Sequence, residues 1–104
     1  HLSMFTEYVL FDLPPGLARE AVVRDMQAVA PRWRGHPGLL RKTFVHDPVA
    51  GQAGAFYLWR DRAAGEAAHD AAWRAGLKAR YGCEPVIRWF ETPLVVDNGP
   101  PDAA

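Results

Sequence analysis

Two apolar runs joined by a short turn constrain the fold more than any other part of this sequence. The first run extends from Pro37 to His46 and the second from Gly54 to Arg60, and both are rich in β-branched, aromatic and leucine side chains. The connection between them carries Asp47-Pro48 and Gly51. Strand-forming runs separated by turn residues of this kind predict an antiparallel hairpin.

The second strand of this hairpin presents apolar side chains on both of its faces. Alternation puts Ala55, Tyr57 and Trp59 on one face and leaves Phe56 and Leu58 on the other. Since neither face is plainly polar, we expect both to be covered.

The rest of the chain predicts two further strands and two helices. Strands are expected over 5–13 and 85–91, where aromatic and β-branched residues cluster. Apolar residues at helical spacing predict a helix from Leu17 to about Ala30. An alanine-rich helix is expected from Arg62 to about Gly76, with Asp61 as its N-cap.

Three details of the helices bear on the site. Pro31 is expected to kink or stop the first helix, because proline lacks an amide N–H. His69 and Trp73 lie four residues apart and should share one face of the second helix. The segment 77–82 is expected to be a short irregular turn.

The predicted order β-α-β-β-α-β gives an α+β, ferredoxin-like fold. Right-handed crossovers turn this order into a four-stranded antiparallel sheet with both helices on one face. We expect one domain over 4–98, a cloning remnant at 1–3 and a loose C-terminal tail at 99–104. The uncovered sheet face is apolar, which predicts a homodimer joined through sheet faces, with the arm 94–96 clipping the two subunits together.

The composition excludes several classes of partner. Twelve basic and twelve acidic residues cancel, and no basic block is present, which argues against a nucleic-acid partner. No apolar run is long enough to cross a bilayer, so no membrane partner is expected. The single cysteine, Cys83, cannot form an internal disulfide and no signal peptide is visible, which together predict a cytoplasmic protein.

The sequence resembles the small monooxygenases of the dimeric α/β-barrel superfamily, relatives of the antibiotic-biosynthesis (quinol-type) monooxygenases. The resemblance rests on the runs 37–42 and 54–59, followed by His69 and Trp73. It covers about residues 5–98. It implies a pocket between sheet and helices, and oxidation of a small aromatic or polyketide-like phenol by dioxygen without metal or flavin. The same superfamily includes haem-degrading enzymes, isomerases and dehydratase-like members, so the fold alone leaves the chemistry open.

Cofactor-free oxygenation requires a base, an oxyanion donor and a dry apolar pocket. His69 is the predicted base, because an unperturbed histidine titrates near neutrality. Tyr57 is the predicted oxyanion donor, with Trp59 stacking on the substrate and Trp73 as a pocket wall. Each also has a plain structural interpretation, as a buried histidine or as core and dimer-interface aromatics.

Two further residues are candidates for substrate binding. Trp33 is expected in the core or at the pocket rim. Arg41 could neutralise an anionic substrate, although a surface or interface ion pair is the simpler interpretation.

No metal or nucleotide motif appears in the sequence. The histidines are isolated, and there is neither a His-x-His pattern nor a Gly-x-Gly-x-x-Gly fingerprint. This agrees with what the resemblance implies, which is an enzyme without a cofactor. The alternatives are an isomerase, cyclase or dehydratase acting on a polyketide-like intermediate, or a non-catalytic dimer that binds a hydrophobic ligand.

Overall fold

Four antiparallel strands form one sheet, and three helices pack on one of its faces. The computed structural model describes residues 3–100. The sheet order is β2-β3-β1-β4, which confirms the predicted α+β ferredoxin-like arrangement. Along the chain the elements are β1 (Phe5–Asp12), α1 (Arg19–Trp33), β2 (Leu39–Asp47), β3 (Gln52–Trp59), α2 (Arg62–Ala68), α3 (Ala71–Tyr81) and β4 (Val86–Glu91). Residues 1–2 of the predicted remnant and 101–104 of the predicted tail lie outside the described residues. Within the described part of the chain, no helix is both long and apolar enough to span a bilayer.

Strand β3 occupies an inner position and sets which residues share a face. Tyr57 lies opposite Lys42 on β2 and opposite Glu7 on β1. Ala55, Tyr57 and Trp59 share one face, as the alternation predicts, and all three are buried on the side of the helices. These residues, together with Glu7 and Lys42, therefore face the helix layer.

The sequence predicted that Pro31 would kink or stop the first helix, but the helix does not stop there and continues to Trp33. Proline removes only the hydrogen bond to the carbonyl of Gln27, which lies on the exposed side of the helix. The helix ends two residues later, so few bonds depend on that position. The extra turn carries Trp33 onto the sheet, where its ring meets that of Tyr57 in an edge-to-face contact with centroids 5.4 Å apart.

The predicted second helix is two helices, with a break at His69 and Asp70. As predicted, the Asp61 carboxylate caps α2 by accepting the N–H of Ala64 at 2.9 Å. The helix ends after Ala68, because the carboxylate of Asp70 accepts the N–H of Trp73 at 2.9 Å and begins α3. The continuous helix over 62–76 and the irregular turn over 77–82 were wrong, because α3 runs to Tyr81.

Glycine allows α2 to lie close to the sheet. A Cβ atom on Gly65 would fall 2.6 Å from Cη2 of Trp89 and 2.8 Å from Nε1 of Trp59. The helix backbone therefore rests directly on two tryptophan rings, and no larger residue fits this position without a shift.

None of the described helices covers the opposite face of the sheet. Exposed apolar side chains on it include Phe56 and Phe90, each 40% exposed, and Val86, 59% exposed. The arm after β4 adds Leu94 and Val96, each 78% exposed. We name this surface the open face.

Replacing Gly65 with alanine should destabilise the protein. Alanine ordinarily stabilises a helix interior relative to glycine, but here the new methyl group meets two buried rings. We expect the free energy of unfolding in urea to fall by about 1–3 kcal/mol.

Gly76→Ala is the matched control, because a Cβ at this position in α3 meets nothing within 4 Å. It should stabilise the protein by up to about 1 kcal/mol. Equal effects of the two substitutions would contradict the close contact of α2 with the sheet.

Candidate functional site

A cavity lies between the helices and the covered face of the sheet. Its volume is about 700 Å³. Its walls come from α1, from β1, β2 and β3, from the end of α2 and from α3. They are largely apolar, including Val22, Met26, Phe44, Ala55, Trp73 and Leu77. A cavity of this size and lining is typical of sites for small, mostly apolar ligands.

A few polar groups reach this cavity. Tyr57 and Lys42 lie side by side on the sheet wall, and Arg32 and His36 lie at the end of α1 and just beyond it. On the opposite wall, Arg80 pairs with Asp25 at 3.1 Å, and the Tyr81 hydroxyl donates to the same carboxylate at 3.4 Å. The free polar groups are thus concentrated near Trp33.

A buried carboxylate and a buried histidine lie beneath the wall of the cavity. Glu7 on β1 is 0% exposed and His69 is 3% exposed. Nδ1 of His69 lies 2.7 and 2.8 Å from the two oxygens of Glu7. Trp59 donates its indole N–H to the same carboxylate at 2.9 Å. Glu7 therefore has two donors, whereas Nε2 of His69 is buried without a hydrogen-bond partner among the described residues.

Four aromatic rings enclose His69. Trp73 packs against it with centroids 3.9 Å apart, and Tyr57 meets it edge-on at 4.6 Å. Trp33 and Trp59 complete the cage at 5.6 and 5.9 Å. The contact between His69 and Trp73 arises across the break between α2 and α3, rather than along one helix face as expected.

The amine of Lys42 lies among aromatic rings at the cavity wall. Its Nζ is 4.2 Å from the ring centroids of Trp33 and Phe44 and 4.6 Å from that of Tyr57. Burial, the largest cause, and the positive charge of Arg32 together lower the pKa of Lys42 to about 7, against the opposing effect of Glu7.

The Tyr57 hydroxyl is held in its protonated form. Burial raises the pKa of Tyr57 far above its usual value, and the charge of Glu7 adds to this effect. The side chain can therefore donate a hydrogen bond to a ligand oxygen at neutral pH.

The structure brings some of the sequence-predicted site residues to the cavity and not others. Tyr57, Trp33 and Trp73 line it. His69 and Trp59 lie behind this lining, in contact with Tyr57.

Arg41 is on the open face, away from the cavity. It forms an ion pair with Asp97 at 2.6 Å, and both side chains are about half exposed. This is the surface ion pair that the sequence offered as the simpler interpretation.

Sequence reasoning missed Glu7 and Lys42. Strand alternation could have revealed both, since it puts Glu7 on the same face as the apolar Val9, and Lys42 on the same face as Phe44. A charged residue on the covered face of a strand needs a partner or a function.

The described residues contain no group of three or more histidine, cysteine or acidic side chains that could hold a metal ion.

Comparisons with known proteins find similarity in structure only. No family model matches the chain, and no curated protein does so either. Among solved structures, the NE2512 protein of unknown function from Nitrosomonas europaea has a TM-score of 0.72 at 18% identity, over 96% of this chain and 99% of that one. Rv0793 from Mycobacterium tuberculosis has a TM-score of 0.63 at 19% identity, over 90% and 98% of the two chains.

A third similar structure is a monooxygenase. It is encoded by ActVA-Orf6 of Streptomyces coelicolor and is in complex with the ligand Nanaomycin D. It matches with a TM-score of 0.67 at 16% identity, over 93% of this chain and 94% of that one. At such identities the likeness concerns the fold, so this chain shares its fold with a group of proteins that includes a ligand-bound monooxygenase.

Proposed function

We propose that the protein is a monooxygenase that oxidises a small aromatic or polyketide-like phenol with dioxygen and without a bound cofactor. The observation that carries the proposal is the apolar cavity of about 700 Å³, with the Tyr57 hydroxyl and the Lys42 amine together on its sheet wall. The shared fold with a monooxygenase bound to Nanaomycin D supports the same conclusion.

The chemistry needs little more than this cavity supplies. Loss of the phenolic proton leaves an electron-rich anion, which transfers one electron to dioxygen. The two radicals combine to a peroxide, which loses water to leave a quinone. One oxygen atom enters the product, the other leaves as water, and the phenol supplies the electrons. A dry cavity favours this sequence because it strengthens the hydrogen bonds that hold the anion.

Three aromatic residues of the cavity have distinct roles in the proposal. Tyr57 donates its hydroxyl to the substrate oxygen, since its raised pKa keeps the proton in place. Trp33 and Trp73 both line the cavity and offer rings on which a flat substrate can stack.

The buried pair of Glu7 and His69 positions this wall and does not contact the substrate. His69 is the base that the sequence suggested, but its ring is enclosed by four aromatic side chains and does not line the cavity. Its contacts with Tyr57 and Trp73 fix the orientation of both rings. In the proposal His69 is therefore a positioning residue.

A second candidate function uses the same cavity for proton transfer alone. An amine beside a protonated phenol can isomerise, cyclise or dehydrate a polyketide-like intermediate, and Lys42 and Tyr57 form such a pair. Oxygen dependence separates the two, because only the monooxygenase consumes dioxygen.

The open face supports a homodimer in which two copies join through their sheets. It presents Phe56, Val86 and Phe90 to solvent, and such a surface is typical of a contact between subunits. Asp97, beyond the apolar arm, reaches Arg41 on the strand at the other edge of the same sheet. Within one chain the arm therefore extends along the open face from the β4 edge toward the β2 edge, inside the area of the proposed contact.

Removing the Tyr57 hydroxyl should slow oxidation. Purified protein incubated with a panel of hydroquinones and anthrones should consume oxygen faster than the buffer blank, and Tyr57→Phe should lower kcat by about 10²-fold. Tyr8→Phe on the open face is the control and should leave the rate unchanged. An oxygen uptake equal to the blank with every compound would remove the proposed function.

Two substitutions of His69 separate a positioning role from proton transfer. His69→Asn keeps an N–H that can donate to Glu7 but lacks Nε2, so turnover should keep the pH dependence of the unmodified protein. His69→Phe keeps a ring but leaves the Glu7 carboxylate without this partner, which should cost about 3–5 kcal/mol of stability. Loss of one limb of the pH–rate profile in His69→Asn would show instead that Nε2 accepts the proton.

A charge on the open face should abolish the dimer. Light scattering coupled to size exclusion should give twice the mass of one chain, and Phe56→Glu should reduce it to one chain because a carboxylate would be buried in an apolar contact. Val49→Glu is the control, since Val49 is 97% exposed. A monomeric parent protein would contradict the proposed dimer.

A further inference from the structure

The chain has two lysines, Lys42 and Lys78, and only Lys42 reaches the cavity. Lys78 is exposed on α3 and does not line the cavity. Lys42 projects from β2 toward the helix layer, on the same face as its register partner Tyr57. Such a placement removes water from a group that is strongly hydrated when charged.

The Lys42 amine and the Tyr57 hydroxyl come from neighbouring side chains on the sheet wall. Lys42 and Tyr57 are register partners on adjacent antiparallel strands. Side chains in this relation start about 5 Å apart, so both can reach a single ligand oxygen. Trp33 and Phe44 flank the amine, with centroids 4.2 Å from Nζ, and a flat ligand ring can lie beside them.

The charges that face Lys42 come from three directions. Arg32 on α1 also lies over the ring of Trp33, with Cζ 5.2 Å from the centroid. Glu7 on β1 faces the same layer but is already bonded to His69, and His36 lies beyond the end of α1. In the part of the chain that the structure describes, neither Lys42 nor Arg32 forms an ion pair. This end of the cavity therefore favours an anion.

We propose that Lys42 is the catalytic base, which takes the proton from the hydroxyl of a phenolic substrate and then holds the resulting oxyanion as an ammonium ion. The O–H bond of the phenol breaks, its electron pair stays on oxygen, and a new N–H bond forms on Nζ. Tyr57 donates to the same oxyanion, and Arg32 adds positive charge nearby. This inference rests on the proposed function for its substrate class, and it narrows that class to compounds with an ionisable hydroxyl at one end of a flat ring.

The competing interpretation is that Lys42 only stabilises the packing of three aromatic rings through cation–π contacts. The two differ in whether the amine changes its protonation state when a ligand binds. A lysine with a purely structural role keeps its protonation state, whereas a base must be neutral before binding and charged afterwards. The pKa of about 7 makes Lys42 largely neutral at mildly alkaline pH, which allows the difference to be measured.

Proton uptake on binding of 4-nitrophenolate tests the inference without any turnover. At about pH 8.5 both the free phenol and Lys42 are deprotonated, so binding of the phenolate should draw up to one proton per ligand onto Nζ. Calorimetry in two buffers of different ionisation enthalpy counts this proton. We expect uptake by the unmodified protein and equal uptake by Lys78→Met, the control with the other lysine removed.

Two substitutions of Lys42 complete the test. Lys42→Met should abolish uptake and weaken phenolate binding at least tenfold. Lys42→Arg should abolish uptake while binding persists, because arginine is always charged; it also gives the answer if the methionine variant does not fold. Uptake that persists in either variant, no uptake by the unmodified protein, or no binding of the phenolate would overturn the inference. If the proton is taken up but no phenol is oxidised under oxygen, the assignment of Lys42 stands and the proposed monooxygenase activity falls.

Discussion

The hydrogen bonds to the Glu7 carboxylate are the interaction on which the rest of the site depends. A fully buried carboxylate is tolerated only when donors replace the water it has lost. Here the donors are Nδ1 of His69 and the indole N–H of Trp59, which come from two other parts of the chain. The carboxylate thus ties β1 to the end of β3 and to the break between α2 and α3. Loss of either donor would leave a buried charge insufficiently paired.

This tie explains why the cavity has a defined wall. His69 contacts the rings of Tyr57 and Trp73, so fixing the imidazole also fixes the two aromatic groups that face the ligand. Gly65 allows α2 to rest on Trp59 and Trp89, which keeps the break at a short distance from the sheet. The polar side chains therefore form two groups. Glu7 and His69 are buried and orient the cavity wall, whereas the Lys42 amine and the Tyr57 hydroxyl reach the cavity.

The features that follow from local sequence patterns, such as strand faces and helix caps, were predicted. The features decided by competition between neighbouring groups for one hydrogen bond were missed. Strand alternation correctly placed Ala55, Tyr57 and Trp59 on one common face but left open whether that face meets the helices, and the capping preference of aspartate correctly placed the start of α2. The second helix was predicted as continuous because alanine surrounds the break on both sides, and neither glycine nor proline marks it. Its cause is the Asp70 carboxylate, which competes with the helix for the N–H of Trp73.

The charged residues of the site were harder to foresee for a different reason. Glu7 lies in an apolar strand, where its burial depends on a histidine 62 positions away in the chain. Lys42 follows Arg41, and only the pairing of β2 with β3 decides which of the two cations faces the helices. A pairing shifted by one residue would exchange them. Sequence reasoning therefore singled out Arg41, whereas the fold turns Lys42 inward.

The break between α2 and α3 also has a consequence for how the cavity can admit a ligand. No residue of α3 is fully buried, yet this helix supplies Trp73 and Leu77 to the cavity. A segment with so little buried surface opens at a lower free-energy cost than the sheet beneath it. Such an opening would have to break the packing of Trp73 on His69 and the bonds of Arg80 and Tyr81 to Asp25 on α1. Lys42 and Tyr57 belong to the sheet, so the pair that carries the proposed chemistry would keep its place while α3 opened.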